Sequence, residues 1–160
     1  MKNYSSAIKY GSLTGIALII YFLILSLFGL HQYPILGALN IAIIATAMYY
    51  GMRDFKANFT GNFLYRHGFA AGMIIGFMGT VIFTIFFALY VTELNSDFLN
   101  SFMTEWKFEW SSNMGMLLLT IILMGFALSV VLTLSYMQLL KKSWNTTEGE
   151  RHTLSHSKDN

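Results

Sequence analysis

The chain of 160 residues lacks cysteine altogether and has a single proline and few charged side chains. The absence of cysteine excludes disulfides, thiolate metal sites and cysteine nucleophiles. Charged residues make up only 11 % of the chain, against about a quarter in soluble proteins, so the chain cannot surround a soluble core with a polar surface. The net charge of +2 is small and dispersed, and we expect no nucleic-acid partner. A composition that is 55 % hydrophobic instead indicates an integral membrane protein.

The apolar residues are gathered into four long segments. The segment 68–91 contains no Asp, Glu, Lys or Arg. As a helix it would be about 36 Å long, enough to cross the roughly 30 Å of bilayer hydrocarbon. We predict four transmembrane spans at about residues 10–30, 35–52, 68–91 and 113–140, with a tight turn at Pro34, in one membrane domain covering residues 1–142. The first segment is too long for a cleaved signal peptide, and the polar tail 143–160 is predicted to be disordered.

Basic residues lie mainly on alternate sides of these spans. The N-terminus carries two, the 53–67 loop three and the tail four, whereas the 31–34 turn carries none and the 92–113 loop one. Since Lys and Arg accumulate on the cytoplasmic side, both termini are predicted to be cytoplasmic, in a bacterial inner membrane. The bases nearest the spans form a predicted inner basic rim, which topology and attraction to anionic lipid explain. Its members are Arg53, Lys56, Arg66, Lys141 and Lys142.

Aromatic residues in the acidic 92–113 loop recur at close to helical spacing. They are Phe98, Phe102, Trp106 and Trp110. This pattern is typical of a short amphipathic helix lying on the membrane surface with Trp at the headgroups. We expect an anchoring helix, and a surface for docking a partner is the alternative.

Small residues share one face of the first span and one face of the third. Gly11 and Gly15 lie four apart in the first, and Gly68, Gly72 and Gly76 do so in the third. Small residues let helix backbones approach closely in a bilayer. We expect spans 1 and 3 to pack on each other through these positions, and packing against a second copy or another subunit is the alternative.

Asn40 is the most polar side chain within any predicted span. Its amide is expected to bond to a neighbouring helix, and lining a polar path is the alternative. No Asp, Glu, Lys, Arg or His falls within a span, which disfavours ion- or proton-coupled transport.

Signals for catalysis are weak. His152 and His156 have metal-ligand spacing but lie in the polar tail without a third ligand, and no nucleophile motif or phosphate loop is present. We therefore expect no enzyme activity, no metal and no cofactor. A weak similarity between residues 8–15 and 65–72 is compatible with an internal duplication or with similar chemistry at two helix starts.

Three short patterns carry a resemblance to a known family. They are Tyr10-Gly11 with Gly15, Gly29-Leu30 with Pro34 and Asn40, and Tyr65 to Phe69 with Gly72. Together they resemble a domain-of-unknown-function family of small four-span inner-membrane proteins of Gram-negative bacteria, over roughly residues 5–142. The resemblance implies the fold and the location and brings no activity or catalytic residue.

We therefore predict an all-α, integral membrane four-helix bundle of two transmembrane hairpins, with a short interfacial helix between spans 3 and 4. The predicted function is that of a non-enzymatic accessory or assembly subunit that packs against itself or a larger membrane complex. A small homo-oligomeric transporter or channel is the alternative, and a lipid-binding or membrane-shaping protein is a third. The predicted partners are membrane lipid and either another membrane protein or a second copy.

Overall fold

The computed structural model describes residues 4–30, 34–60, 64–94 and 114–139. In these ranges the chain is helical apart from a few turn and end residues, and it contains no strand. They contain four stretches long and apolar enough to cross a membrane: Ser5–Leu27, Ile35–Ala57, Tyr65–Glu93 and Met114–Leu139. The prediction of an all-α, four-span membrane protein is thereby confirmed. The predicted interfacial helix with Phe98, Phe102, Trp106 and Trp110, the bases Lys141 and Lys142, and the tail 143–160 lie outside the described residues.

The helices are α1 (Ser5–Leu27), α2 (Pro34–Gly37), α3 (Leu39–Ala57), α4 (Tyr65–Leu89) and α5 (Met114–Leu139), with a π-helical turn, Tyr90–Leu94, continuing α4. Three of them extend beyond the predicted spans at the end of the bundle that carries the bases. α1 begins five residues before residue 10, α3 continues past residue 52, and α4 begins before residue 68. Charged side chains do not stop a helix, because long ones reach past the apolar layer to water. We call this the basic end of the bundle.

At the opposite end, α1 stops at Leu27, three residues before the predicted boundary. Gly29 has a φ of +67°, in the left-handed region that glycine adopts without a steric penalty. Its N–H donates to the carbonyl of Ser26 at 3.1 Å. A left-handed glycine just after the last turn is a common way to end a helix.

The second span is interrupted near its start. α2 begins at Pro34, where the missing proline N–H is not needed, and it ends at Gly37. Around Ala38 the backbone bonds join residues three apart, from the Ala38 N–H to Ile35 (3.2 Å) and from the Ile41 N–H to Ala38 (3.1 Å). The Tyr21 hydroxyl of α1 donates to the Leu36 carbonyl at 2.7 Å, so a neighbouring helix supports the interruption.

α4 is the central helix of the bundle. It packs against α1, α3 and α5, whereas α1 and α5 scarcely touch each other. More of α4 is buried than of any other span. Buried side chains of α4 and the adjacent helices form one apolar core, which includes Met48, Met52 and Phe55 of α3 and Ile75 of α4.

A second apolar cluster lies at the far end from the bases. The Phe22 ring of α1 meets four rings of α4 and its π-helical turn edge-on, with centroids 5.0 to 6.3 Å apart. The Ser26 and Tyr90 hydroxyls are hydrogen-bonded at 2.5 Å beside this cluster. Aromatic contacts and one polar bond therefore join α1 to the end of α4.

Candidate functional site

The contact between α1 and α4 depends on the two α1 glycines. A Cβ at Gly11 would lie 3.0 Å from Cβ of Met78, and one at Gly15 would lie 2.7 Å from Cβ of Ile82. The backbones therefore approach too closely for a larger residue at either position. On α4 the small residue at this contact is Gly79, where a Cβ would lie 2.9 Å from Cγ2 of Thr14.

We predicted that the α4 glycines pack against α1, and for Gly72 and Gly76 this prediction is wrong. Gly72 and Gly76 face α5 and α3, not α1: a Cβ at Gly72 would lie 2.6 Å from Oγ1 of Thr133 and 3.1 Å from Sδ of Met52. Gly68 is buried as well. Helical spacing shows which residues share a face, but the sequence does not show which neighbouring helix that face meets.

The α4–α5 interface pairs a glycine on one helix with a hydroxyl side chain on the other at three successive levels. The pairs are Gly72 with Thr133, Gly76 with Ser129, and Gly125 with Thr80. Each level is four residues further along α4 and four residues earlier in α5, as in an antiparallel pair of helices. The Ser129 and Thr80 hydroxyls donate to carbonyls four residues earlier in their own helices, at 2.6 and 2.9 Å. These polar side chains are thus satisfied locally and fill the space that glycine leaves.

Two buried polar atoms have no hydrogen-bond partner within the described ranges: Oγ1 of Thr133 and Oδ1 of Asn40. Thr133 differs in this respect from Thr14 and Thr84, whose hydroxyls donate to their own helices at 2.7 and 2.8 Å. We expected the Asn40 side chain to bond to another helix, but its side-chain oxygen, Oδ1, makes no such bond among the described residues. Thr133 lies opposite Gly72 in the part of α4 near the basic end, and Asn40 lies near the start of α3 at the other end. They therefore do not form one polar site.

At the basic end, Asp54 joins α1 to α3. Its carboxylate accepts a hydrogen bond from the Ser6 hydroxyl at 2.7 Å and one from Nδ2 of Asn58 at 2.9 Å. The predicted rim residues Arg53 and Arg66 are exposed at this end, and Lys56 is half-buried. The acid therefore serves helix packing, and the two arginines remain on the surface.

His67 has a structural role that the sequence reasoning missed. The Leu64 N–H donates to Nδ1 of His67 at 3.3 Å, and the His67 N–H donates to the Leu64 carbonyl at 3.0 Å. Histidine here takes the place of Glu or Gln in a capping box. The ring also packs on Phe59, with centroids 4.7 Å apart. The signal available in the sequence was a polar side chain at the third residue of α4, three residues after the N-cap Leu64.

A hydroxyl bond also joins α5 to α3. The Tyr136 hydroxyl donates to the Ala45 carbonyl at 2.8 Å, and the Tyr136 and Tyr49 rings lie 5.8 Å apart. Within the part of the chain that the structure describes, no three His, Asp or Glu side chains come together as a metal-ligand set.

These features define a multi-pass α-helical membrane protein whose helices are joined by glycine contacts and a few hydroxyl bonds. The chain belongs to the family described as "Protein of unknown function (DUF4199)", whose profile matches residues 9–142. The resemblance to a family of unknown function is thereby confirmed. No curated protein and no solved structure matches the chain.

Proposed function

We propose that this protein is a non-enzymatic accessory or assembly subunit, and that it packs against another transmembrane helix through the outer face of α3. The observation that carries the proposal is a row of three small, exposed residues at helical spacing. They are Ala38, which directly precedes α3, and Ala42 and Thr46 within α3. Residues four apart share a helix face, so these three form a shallow track along about two turns.

The track differs from the glycines of the bundle because none of the described helices covers it. Five glycines of α1 and α4 meet side chains of neighbouring helices and Gly68 is buried, so they are not free to contact a partner. The exposed positions within the apolar part of α1 carry bulky side chains such as Ile16 and Ile20, and most exposed positions of α5 do so as well, for example Leu123. Such side chains suit lipid. A bilayer gives no hydrophobic drive for association, and helices associate where small residues permit close contact. The outer face of α3 meets that condition.

The absence of cysteine allows a direct test. Ala42→Cys introduces a unique thiol on the track, to which a photoreactive maleimide can be attached in native membranes. Illumination should give one adduct of defined mass, either with a second copy or with one other membrane protein. Ala127→Cys is the matched control, because Ala127 is an exposed alanine on α5. Adducts of equal yield from both positions, or from neither, would count against the proposal.

We also propose that the protein lies in a bacterial inner membrane with both termini in the cytoplasm. The supporting observation is that Lys9, Arg53, Lys56 and Arg66 occur at one end of the bundle, while Glu93 follows the other end of α4. Fusing a reporter that is active only in the cytoplasm to the C-terminus should give activity. This orientation would be contradicted if a reporter that is active only outside the cytoplasm gave activity at the same position.

A small homo-oligomeric transporter or channel is the second candidate. It is favoured by Oδ1 of Asn40, which has no hydrogen-bond partner among the described residues, since an unsatisfied buried polar atom costs free energy that a passing polar solute could offset. Liposomes containing only this protein should then pass a small polar solute, and Asn40→Leu should reduce the flux. Liposomes that remain tight would exclude this function.

A further inference from the structure

Among the described helices, α1, α3 and α5 enclose the central helix α4 on three sides and leave its fourth side uncovered. Its fourth side carries five residues at positions i, i+4, i+7, i+11 and i+15, which share one helix face. They are Arg66, Ala70, Met73, Phe77 and Val81. Phe77 remains 44 % exposed although it lies in the middle of the most buried helix. We call this row, from Arg66 to Val81, the α4 strip.

Two helices flank the α4 strip and leave it open between them. α1 contacts α4 on one side, where Gly11 and Gly15 meet Met78 and Ile82. α5 contacts α4 on the other side through the three glycine–hydroxyl pairs. Because α1 and α5 scarcely touch each other, neither helix covers the strip. Phe126 of α5 meets Phe77 edge-on at 6.2 Å, so an aromatic ring borders the strip on the α5 side.

The side chains of the strip favour an acyl chain over a second helix. Met73 and Phe77 are large, Val81 is branched at Cβ, and only Ala70 is small, so another helix backbone could not approach closely. The distance along α4 from Arg66 to Phe77 is about 16 Å. This is close to half of the roughly 30 Å hydrocarbon thickness, which is the depth that one acyl chain occupies.

A cation lies at the basic end of the α4 strip. Arg66 is exposed, and within the described ranges it has neither a hydrogen bond nor an ion pair. The acid at this end, Asp54, already accepts bonds from Ser6 and Asn58. A guanidinium binds phosphate oxygens through two parallel N–H donors, so a lipid phosphate complements this position.

We infer that the α4 strip binds one anionic phospholipid, with the phosphate on Arg66 and one acyl chain along Ala70, Met73 and Phe77. The inference does not depend on the proposed partner contact, which lies on α3. It is also independent of the orientation of the chain, because phospholipid headgroups occur at both membrane surfaces.

Native mass spectrometry of the purified full chain tests the site. Detergent-solubilised protein is incubated with phosphatidylglycerol or phosphatidylcholine, and retained lipid is counted. The wild type should retain one phosphatidylglycerol in preference to phosphatidylcholine. Arg66→Gln should lower this retention about fivefold, the effect of one basic side chain near an anionic lipid surface. Arg53→Gln is the control, because it removes an exposed arginine of α3 at the same end of the bundle. It should leave lipid retention unchanged.

A second pair of variants tests the acyl-chain part of the site. Ala70→Trp should occupy the position of the acyl chain and reduce retention with Arg66 intact, whereas Ala127→Trp on the exposed side of α5 should not. Equal losses from Arg53→Gln and Arg66→Gln would overturn the site, as would equal retention of both lipids. If inorganic phosphate displaced phosphatidylglycerol at equal concentration, the site would bind anions in general and the proposed acyl-chain contact would be wrong. A dimer that excludes lipid from the wild type would show that a second copy covers the strip.

Discussion

Gly76 of α4 lies directly against Ser129 of α5, so that a Cβ at residue 76 would overlap the serine side chain. The serine hydroxyl donates to the Gly125 carbonyl of its own helix at 2.6 Å, which fixes the side chain in the space left by the glycine. A glycine also faces a hydroxyl side chain one turn away in each direction, Gly72 facing Thr133 and Gly125 facing Thr80. The α4–α5 interface therefore tolerates little added volume.

Gly76→Leu should destabilise the bundle strongly, because the new side chain has no space between α4, α5 and Met48 of α3. We expect a loss of about 3 kcal/mol in the free energy of unfolding, as for severe overpacking of a core. Thermal unfolding in detergent and the yield of monodisperse protein measure this. Gly37→Leu is the control, because a Cβ at Gly37 meets nothing within 4 Å. If the two variants melted alike, the packing described for α4 would be wrong.

Thr133→Val should leave the stability unchanged or raise it by up to about 1 kcal/mol. The reason is that Oγ1 of Thr133 is buried and has no partner among the residues that the structure describes, and removing an unsatisfied polar atom while keeping its shape costs nothing. Thr84→Val is the comparison, because the buried Thr84 hydroxyl donates to the Thr80 carbonyl at 2.8 Å. It should lose about 0.6 kcal/mol, a typical value for a side-chain hydrogen bond in a membrane protein. The reverse order of the two variants would contradict the assignment.

Tyr21→Phe should weaken the interrupted start of the second span. The substitution removes the hydroxyl that donates to the Leu36 carbonyl at 2.7 Å, at a cost of about 1 kcal/mol. Tyr50→Phe, at an exposed position of α3, is the matched control and should have no effect. Hydrogen exchange of the α2 backbone should also become faster in Tyr21→Phe. Unchanged exchange and unchanged melting would show that the bond contributes nothing.

A double-mutant cycle on Ser6 and Asp54 should reveal coupling between α1 and α3. The Ser6 hydroxyl donates to the carboxylate at 2.7 Å, and hydrogen bonds to charged groups are stronger than neutral ones. Ser6→Ala and Asp54→Ala should together cost about 1 kcal/mol less than the sum of their separate effects. Strictly additive effects would mean that the two side chains do not interact in the membrane-bound protein.

The number and positions of the spans could be predicted because a bilayer requires long apolar helices, and the run 68–91 meets that requirement by composition alone. The helix ends could not be placed as well. Apolar runs mark the hydrocarbon layer, whereas α1 and α3 continue beyond it to Ser5 and Ala57. The early end of α1 depends on the φ of Gly29, which the sequence suggests but does not fix.

The side-chain contacts show where the sequence is insufficient. Helical spacing groups Gly72 with Gly76, but only the packing of the whole bundle places Thr133 and Met52 against Gly72 in place of α1. Likewise, Asn40 stands out in the sequence as a polar side chain, yet its side-chain oxygen, Oδ1, has no partner among the described residues. His67 belongs to no ligand pattern in the sequence, and its role as a cap depends on local backbone geometry. Contacts between helices that are distant in the chain depend on how the whole bundle packs, so the spacing of residues in one sequence does not reveal them.

The measurement that tests the proposed function most directly is the native mass of the tagged protein after gentle extraction from its own membrane. The account predicts a stoichiometric complex with a second copy or with one other membrane protein. The complex should dissociate in Ala42→Leu, which fills the outer face of α3, and persist in Ala127→Leu, an equally exposed substitution on α5. A wild-type protein that carries lipid but remains a monomer, with the same mass in both variants, would contradict the account.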